Sequence, residues 1–249
     1  PCEMCIRDSC CEPSVRCCVR RRSIIPVMPP CRCLKEMKTK NMSSQTYYLY
    51  GASGHGMVIA EILELHNACV KGFFDDDQTK KQLADFNIFH SFDELQFIDS
   101  ALWLVSIGNN AIRKKIVVQH PFPFGKAIHP SAVVSPRATL GEGTVVMPGA
   151  CINSCAVVGR HAIINTNASV DHDCVLAVVV HISPGASLAG SVRVGVGTHI
   201  GTGASVIPGV TIGKWCTIGA GAVVIRDVPD GVTVVGVPGR GLRIEGGKD

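Results

Sequence analysis

Residues 128–229 repeat every six positions, seventeen times without interruption. An aliphatic residue opens each hexapeptide, from Ile128, Val134 and Leu140 through to Val224, and the fifth place is always Ala, Thr, Cys or Val. No single hexapeptide can bury its own apolar residue, so a strict period of six over 102 residues implies stacked coils, each covering the next. Gly and Pro recur between the aliphatic places, which supplies corners and excludes long helices.

This run resembles the hexapeptide-repeat transferases, whose fold is a left-handed parallel β-helix, a three-sided prism with one hexapeptide to a side. The repeat by itself implies a β-solenoid; the handedness and the three-sided section come with the resemblance. Each coil then takes roughly eighteen residues, so that residues eighteen apart lie one above another.

Outside the repeat the chain divides by composition. Residues 1–44 read as a leader apart from the folded domains, disordered or of non-native sequence, with the natural start at Met42 or Met37. Before residue 42 stand nine Lys or Arg against four Asp or Glu, so the formal charge of +4 is concentrated there and the remainder is near neutral. Nucleic-acid binding needs a basic stripe on the folded part, and none is visible. Eight of the thirteen cysteines also precede residue 42, in C-x-x-C, C-C and C-x-C pairs. A metal knuckle or a disulfide knot is the alternative reading of that segment, but it has few aliphatics for a core and lacks an apolar stretch of signal-peptide type. Cys69, Cys151, Cys155, Cys174 and Cys216 are scattered, as reduced packing residues of a cytoplasmic protein would be. No run of eighteen apolar residues exists, so no membrane span is expected.

Residues 45–120 read as a small Rossmann-like α/β domain. Positions 47–50 predict a strand, Gly51-Ala52-Ser53-Gly54-His55-Gly56 a glycine turn, and the apolar spacing over 57–65 a helix. Strand, glycine turn and helix start together make an anion site, because free N–H groups leave the turn and the helix dipole favours negative charge. The spacing G-x-x-G-x-G departs from the dinucleotide fingerprint, which argues against NAD. A second strand over 69–74 ends in Asp75-Asp76-Asp77, acids that either face solvent or accept hydrogen bonds from a ribose or base. The third strand, 102–107, ends in Gly108-Asn109-Asn110, and a helix follows over 111–119 with Arg113, Lys114 and Lys115 mostly on its wet side. Residues 121–127 are the linker, 128–230 the β-helix, and 231–249 a C-terminal cap and tail.

Two histidines of the repeat carry chemical meaning. His172 stands at the third, corner-like place of its hexapeptide between Asp171 and Asp173. An adjacent carboxylate fixes the imidazole tautomer and favours the imidazolium formed when the base takes a proton. Acetyl transfer from a thioester needs that base and a donor for the developing oxyanion. Gly190 lies one coil after His172, where a glycine leaves room for the thioester and exposes an N–H. His181 lies half a coil from His172, on a different side of the prism, so that only a neighbouring subunit brings the two faces together. A cyclic trimer would make three such clefts.

Five motifs in order resemble the sialic-acid-biosynthesis O-acetyltransferase-like group over about residues 45–245: G-A-S-G-H-G, F-F-D-D-D, I-G-N-N, I-H-P-S-A and I-N-T-N-A-S-V-D-H-D-C. That group includes N-acetyltransferases acting on UDP-linked 4-amino sugars. The resemblance implies an N-terminal domain that holds the UDP-sugar, a β-helix that holds acetyl-CoA, and sites between subunits of a homotrimer. It assigns His172 as general base, Asp173 as its orienter with Asp171 the fallback, and Gly190 as oxyanion donor. By the same resemblance His181, Gly190, Thr202 and Ala220 line the acetyl-CoA channel. Gly51, Ser53, Gly54, His55, Asp75, Asp76 and Asn109 are the candidate nucleotide-sugar contacts.

His181 and His199, one coil apart, mimic a zinc pair, but their spacings do not resemble those of the hexapeptide carbonic anhydrases, and no metal is expected. The hexapeptide 176–181 has a hydrophobic run where relatives usually place Gly, Asp or Glu; its inward places are kept, and the run is aggregation-prone if exposed. Near the end, 234–240 resembles the closing element V-G-x-P-A-[KR], with Gly239 for Ala, and brings Arg240 or Arg243 towards a phosphate of CoA. The function implied is acetyl-CoA-dependent N-acetyl transfer to a UDP-linked amino sugar, at the 4-amino group, without a covalent enzyme intermediate. The alternatives are O-acetyl transfer to sialic acid or a related sugar hydroxyl, and a non-catalytic nucleotide-sugar-binding scaffold.

Overall fold

The computed structural model describes residues 45–96 and 100–242; the leader 1–44 and Arg243 of the tail lie outside the described residues. In the first domain β1 (Thr46–Tyr50) lies between β2 (Cys69–Phe74) and β5 (Leu102–Val105), parallel to both. A hairpin absent from the sequence reading, β3 (Gln82–Leu83) and β4 (Phe86–Phe89), extends the sheet to the order β3-β4-β2-β1-β5. Strands of two and four residues are too short to show as a period. The first helix, α1 (Gly54–Leu65), begins three residues earlier than its apolar spacing suggests, directly in the glycine turn, with Ser53 extended at its N-cap. The second, α2 (Asn110–Gln119), is capped by the Asn109 side chain, which accepts a hydrogen bond from the Ile112 N–H. Residues 121–125 lie along β5: Trp103 N–H donates to the Pro123 carbonyl and Gly125 N–H to that of Trp103. Trp103 stacks between Tyr48 and Phe122, with centroids at 5.2 and 4.2 Å.

From residue 127 the chain is a left-handed β-helix of two-residue strands, each formed by the sixth place of one hexapeptide and the first of the next. The strands stack in three parallel faces. Strands 127–128, 145–146, 163–164, 181–182, 199–200 and 217–218 make the first face; the series beginning 133–134 and 139–140 make the second and third. Pairing partners are eighteen apart, as in Ser169 with Ser187 and His181 with His199. The interior is the first and fifth places: Ile152, Ala156, Val158 and Ala162 through to Ala222 and Val224 are buried in one cluster. Where a fifth place is polar, its hydroxyl is paired inside: Thr144 donates to the Gly159 carbonyl and Thr198 to that of Gly213. The fourth place turns the corner, and it has positive φ in every hexapeptide from Gly143 to Gly221, at Cys155, His161, Asn167, Asp173, Val179, Ser191 and Trp215 as well as at glycines. Beyond the last coil, residues Thr233–Val235 pair with Thr217 and Ile218 and fold back antiparallel onto Arg240–Leu242.

The two domains share one packed seam. Ile59 and Ile62 of α1 pack in one cluster with Ala127, Val145 and Met147 of the first face. Contrary to the sequence expectation, Arg113 is not on the wet side of α2 but 1% exposed. Its Nε donates to the His161 carbonyl and its Nη2 to those of Val179 and Val180, while Nη1 donates to Ile107 and Gly108 in its own domain. The corner carbonyls of the solenoid make a polar socket that the local sequence of α2 cannot reveal. Lys115 is exposed as expected, and Lys114 lies 5.1 Å from the Trp215 ring centre. Because the solenoid core is a continuous column, replacing Ile200, which is 0% exposed, by Ala should cost about 2–5 kcal/mol in urea unfolding. Val133→Ala, at an exposed place in the first coil, should change it by less than about 0.5 kcal/mol.

Candidate active site

The glycine turn sits where β1 meets α1. Gly51 has φ +114°, and its N–H donates to Phe74 of β2. A Cβ there would stand 2.5 Å from Ile107, so both the backbone and the packing require glycine. Past it, the N–H groups of Ser53, Gly54 and His55 have no partner among the described residues, which is the geometry of an anion cradle at a helix start. His55 Nε2 is also buried without a partner, and burial first, then the Arg113 charge, lowers its pKa to about 4.

The acidic run has three different fates. Asp75 accepts from Ala52 N–H and Lys80 Nζ on one oxygen and from Asp77 N–H on the other, so its carboxylate holds the glycine turn in place. Burial pushes its pKa up, but the Lys80 ammonium and the two N–H groups outweigh this and leave it below the usual range. Asp76 accepts from the Tyr50 hydroxyl, and Asp77 closes a turn onto Thr79. Asp76 is thus the exposed one of the two candidate acids, while Asp75 is engaged on both oxygens.

Across the seam lies a cleft of about 440 Å³, lined by Asn109, Asn110, His181, Gly197, His199 and Trp215 among others. His181 contacts the Gly108 carbonyl through Nδ1 at 3.3 Å and the Asn165 amide through Nε2 at 3.2 Å, an arrangement met by one neutral tautomer with its proton on Nδ1. It stacks on His199 at 4.9 Å, and His199 Nε2 meets the Ser183 hydroxyl at 2.7 Å. Burial, then His199 and Arg113, lowers the His181 pKa to about 3. Asn165 and Trp215 were not singled out from sequence; Asn165 lies inside the I-N-T-N motif, and Trp215 occupies a corner place that glycine fills elsewhere.

His172 lies elsewhere, at the edge between the second and third faces, whereas His181 is on the first, so within one chain the two histidines stand apart. Asp173, in the left-handed corner conformation, accepts from His172 Nδ1 at 2.8 Å. Asp171 takes the His172 backbone N–H and the Asn153 amide on one oxygen. The Asp173 hydrogen bond, then the Asp171 charge, raise the pKa of the exposed imidazole. Its ring lies over Gly190, where a Cβ would be 2.6 Å from Cε1 and 2.7 Å from Nε2. The Gly190 N–H has no partner among the described residues. Thr202 and Ala220 are exposed one coil apart on another edge, between the first and second faces.

A glycine-turn α/β domain fused to a hexapeptide β-helix with a carboxylate-paired corner histidine defines an acyltransferase of the hexapeptide-repeat class. Residues 47–119 match the family described as the PglD N-terminal domain. Over 106 residues the chain is 42% identical to a UDP-N-acetylbacillosamine N-acetyltransferase of Bacillus subtilis (strain 168), a match covering 39% of this chain and 49% of that protein. The chain thus spans about half the length of this curated relative. The acetyltransferase domain of PglB from Neisseria gonorrhoeae FA1090, solved with acetyl coenzyme A, is 38% identical with a TM-score of 0.74, covering 80% of this chain and 100% of that one. PerB from Caulobacter crescentus, solved with CoA and GDP-perosamine, is 40% identical with a TM-score of 0.74, over 80% of this chain and 97% of that one. The chain belongs to the hexapeptide-repeat N-acetyltransferases of nucleotide-linked amino sugars.

The contact between Gly190 and His172 makes a sharp prediction. Gly190→Ala should displace the ring and lower acetyl transfer roughly a hundredfold, with an unchanged melting curve, as measured by thiol release and calorimetry.

Proposed function

We propose that this chain transfers the acetyl group of acetyl-CoA directly to the amine of a nucleotide-linked sugar, with the UDP-linked 4-amino sugar as preferred acceptor. The observation that carries the reading is the His172 site: Nδ1–H is held by Asp173, Nε2 is open, and the Gly190 N–H beneath it is unpaired. His172 Nε2 takes a proton from the amine as its nitrogen attacks the thioester carbon. Asp173 steadies the imidazolium, and the Gly190 N–H donates to the tetrahedral oxygen. When the C–S bond breaks, the thiolate leaves and the imidazolium can return the proton to it. No covalent enzyme intermediate is needed.

The N-terminal domain serves in this reading as a Rossmann-like handle: the unpaired N–H groups at Ser53, Gly54 and His55 receive the diphosphate, and Asp76 and Asn109 are assigned as further contacts to the nucleotide sugar. Gly51 shapes the turn, and Asp75 supports it. Thr202 and Ala220 offer an exposed strip for the pantetheine arm, with His181 beside it. His172 and that strip lie on the two edges of the second face, whose outward residues include Ser169, Ser187 and Ser205. A homotrimer packed on this small-residue face would join one chain's His172 to its neighbour's acetyl-CoA strip and glycine turn. We place the reaction in the cytoplasm, in keeping with the free cysteines among the described residues. A GDP-linked acceptor is the second reading, favoured by the likeness to PerB.

Thiol release from acetyl-CoA against UDP- and GDP-linked amino sugars and free sialic acids tests the assignment. Turnover confined to nucleotide-linked amino sugars, reduced roughly 100- to 10,000-fold in His172→Ala, is expected. Activity confined to sialic acids would replace the acceptor, and silence with acetyl-CoA still bound would favour a scaffold. The pH profile gives an independent check. The base acts when neutral, and Asp173 raises its pKa, so the ascending limb of kcat/KM should lie above that of an ordinary histidine; Asp173→Asn should move the limb to lower pH and reduce the plateau.

A further inference from the structure

Residues 106–110, where β5 gives way to α2, touch both halves of the site. Ser106 is buried; its N–H donates to the Tyr50 carbonyl and its hydroxyl to that of Gly51, at 2.8 and 2.7 Å, which holds the glycine turn from behind. On the other side, the Gly108 carbonyl meets His181 Nδ1 at 3.3 Å. Arg113 and Asn110 fasten this segment to the prism at three heights. Arg113 Nε donates to the His161 carbonyl, Arg113 Nη2 to that of Val179, and the Asn110 amide to that of Gly197. These are fourth-place corners eighteen residues apart, so each lies one rung, about 4.8 Å, beyond the last. The remaining guanidinium N–H groups go to Ile107, Gly108 and the Asn110 side chain, which leaves no donor for a substrate. The apolar seam of α1 against the first face resists separation of the domains, but apolar contact is non-directional. A planar fork on two adjacent corners fixes height and tilt as well.

We propose, on the reading of the first domain as the nucleotide-sugar handle and of His181 as a wall of the acetyl-CoA channel, that Arg113 is a positioning residue for acetyl transfer. With Asn110 it sets the height of the glycine turn against His181, so that the two substrates held by one chain meet in reacting geometry. Arg113 is 1% exposed and acts through residues 106–110 rather than on a substrate. Loss of the fork leaves the turn and the strip intact, each on its own domain, and lets their separation drift. A misplacement of about 1 Å costs on the order of a hundredfold in rate while each substrate still binds.

The experiment compares the full wild-type chain with Arg113→Lys, which keeps the charge but cannot span carbonyls on two domains. Calorimetry gives the affinity for acetyl-CoA and, separately, for the nucleotide-linked amino sugar that the wild type turns over fastest; thiol release gives the single-turnover rate with both bound. Both affinities should stay within about twofold of wild type while the single-turnover rate falls roughly a hundredfold. A folded Arg113→Lys chain whose rate is within about threefold of wild type would overturn the inference and leave the assigned function standing. Loss of either affinity in that folded chain would overturn it too, because Arg113 would then build one site rather than align two. Where melting curves show that Arg113→Lys does not fold, Asn110→Ala decides by the same criteria, with a fall of roughly tenfold expected for the loss of one of the three fastenings. Absence of wild-type turnover on every nucleotide-linked amino sugar would remove the function itself, and the inference with it.

Discussion

A buried cation with no carboxylate partner among the described residues holds the two domains of this chain in register. Arg113 places every nitrogen of its planar fork on an oxygen: the carbonyls of His161, Val179 and Val180 in the solenoid, those of Ile107 and Gly108 in the α/β domain, and the Asn110 side chain. Taking an ion out of water costs several kcal/mol, and charge-assisted hydrogen bonds of about 1.5–3 kcal/mol each are what offset it. Burial lowers the Arg113 pKa to about 9, which still leaves the group charged at neutral pH. A lysine could not replace it, because an ammonium has three donors at one point and cannot span carbonyls on two domains. The Gly108 carbonyl shared with His181 extends this joint directly into the cleft.

The same charge acts on its surroundings. After burial, Arg113 is among the causes that lower the pKa of His55, His161, His181 and His199. Neutral imidazoles at these places can combine one donor with one acceptor, as His181 does between Gly108 and Asn165. His172 lies in the opposite field, between two aspartates and in water. One residue type thus takes two roles because burial and neighbouring charge differ.

The period of six made the solenoid legible, since inward places recur in the chain as they recur in space. It also located the paired rungs, including His181 over His199 and Gly190 beneath His172. The corner histidine and its acid were legible for the same reason: Asp173 occupies the fourth place, whose left-handed backbone brings the carboxylate to its neighbour's ring. Arg113 was not legible. On α2 it belongs to a basic triplet that looks solvated, and its solenoid partners arrive from 48 to 67 residues away. The contacts of the His90 ring with the Asp75 and Lys80 carbonyls were hidden likewise, because they depend on a hairpin too short to carry a period.

The apolar run 176–180 shows how a local rule can be broken with a reason that only the fold supplies. Val179 takes the left-handed corner, φ +61°, a conformation that a β-branched residue rarely tolerates. It is 2% exposed there, and its carbonyl, with that of Val180, receives the Arg113 fork. That corner is buried, so the polar residues usual at an exposed turn would have had to be desolvated, whereas valine fills the seam and leaves its carbonyl to the cation. The apolar run that looked like an aggregation hazard is the floor of the interdomain joint. Solvent-facing corners of the same solenoid carry Gly203, Gly209 and Gly221, but also Cys155, Asn167, Asp173, Ser191 and Trp215, so exposure alone does not set the corner residue. The apolar departure from the repeat at Val179 coincides with the place where the α/β domain packs onto the prism.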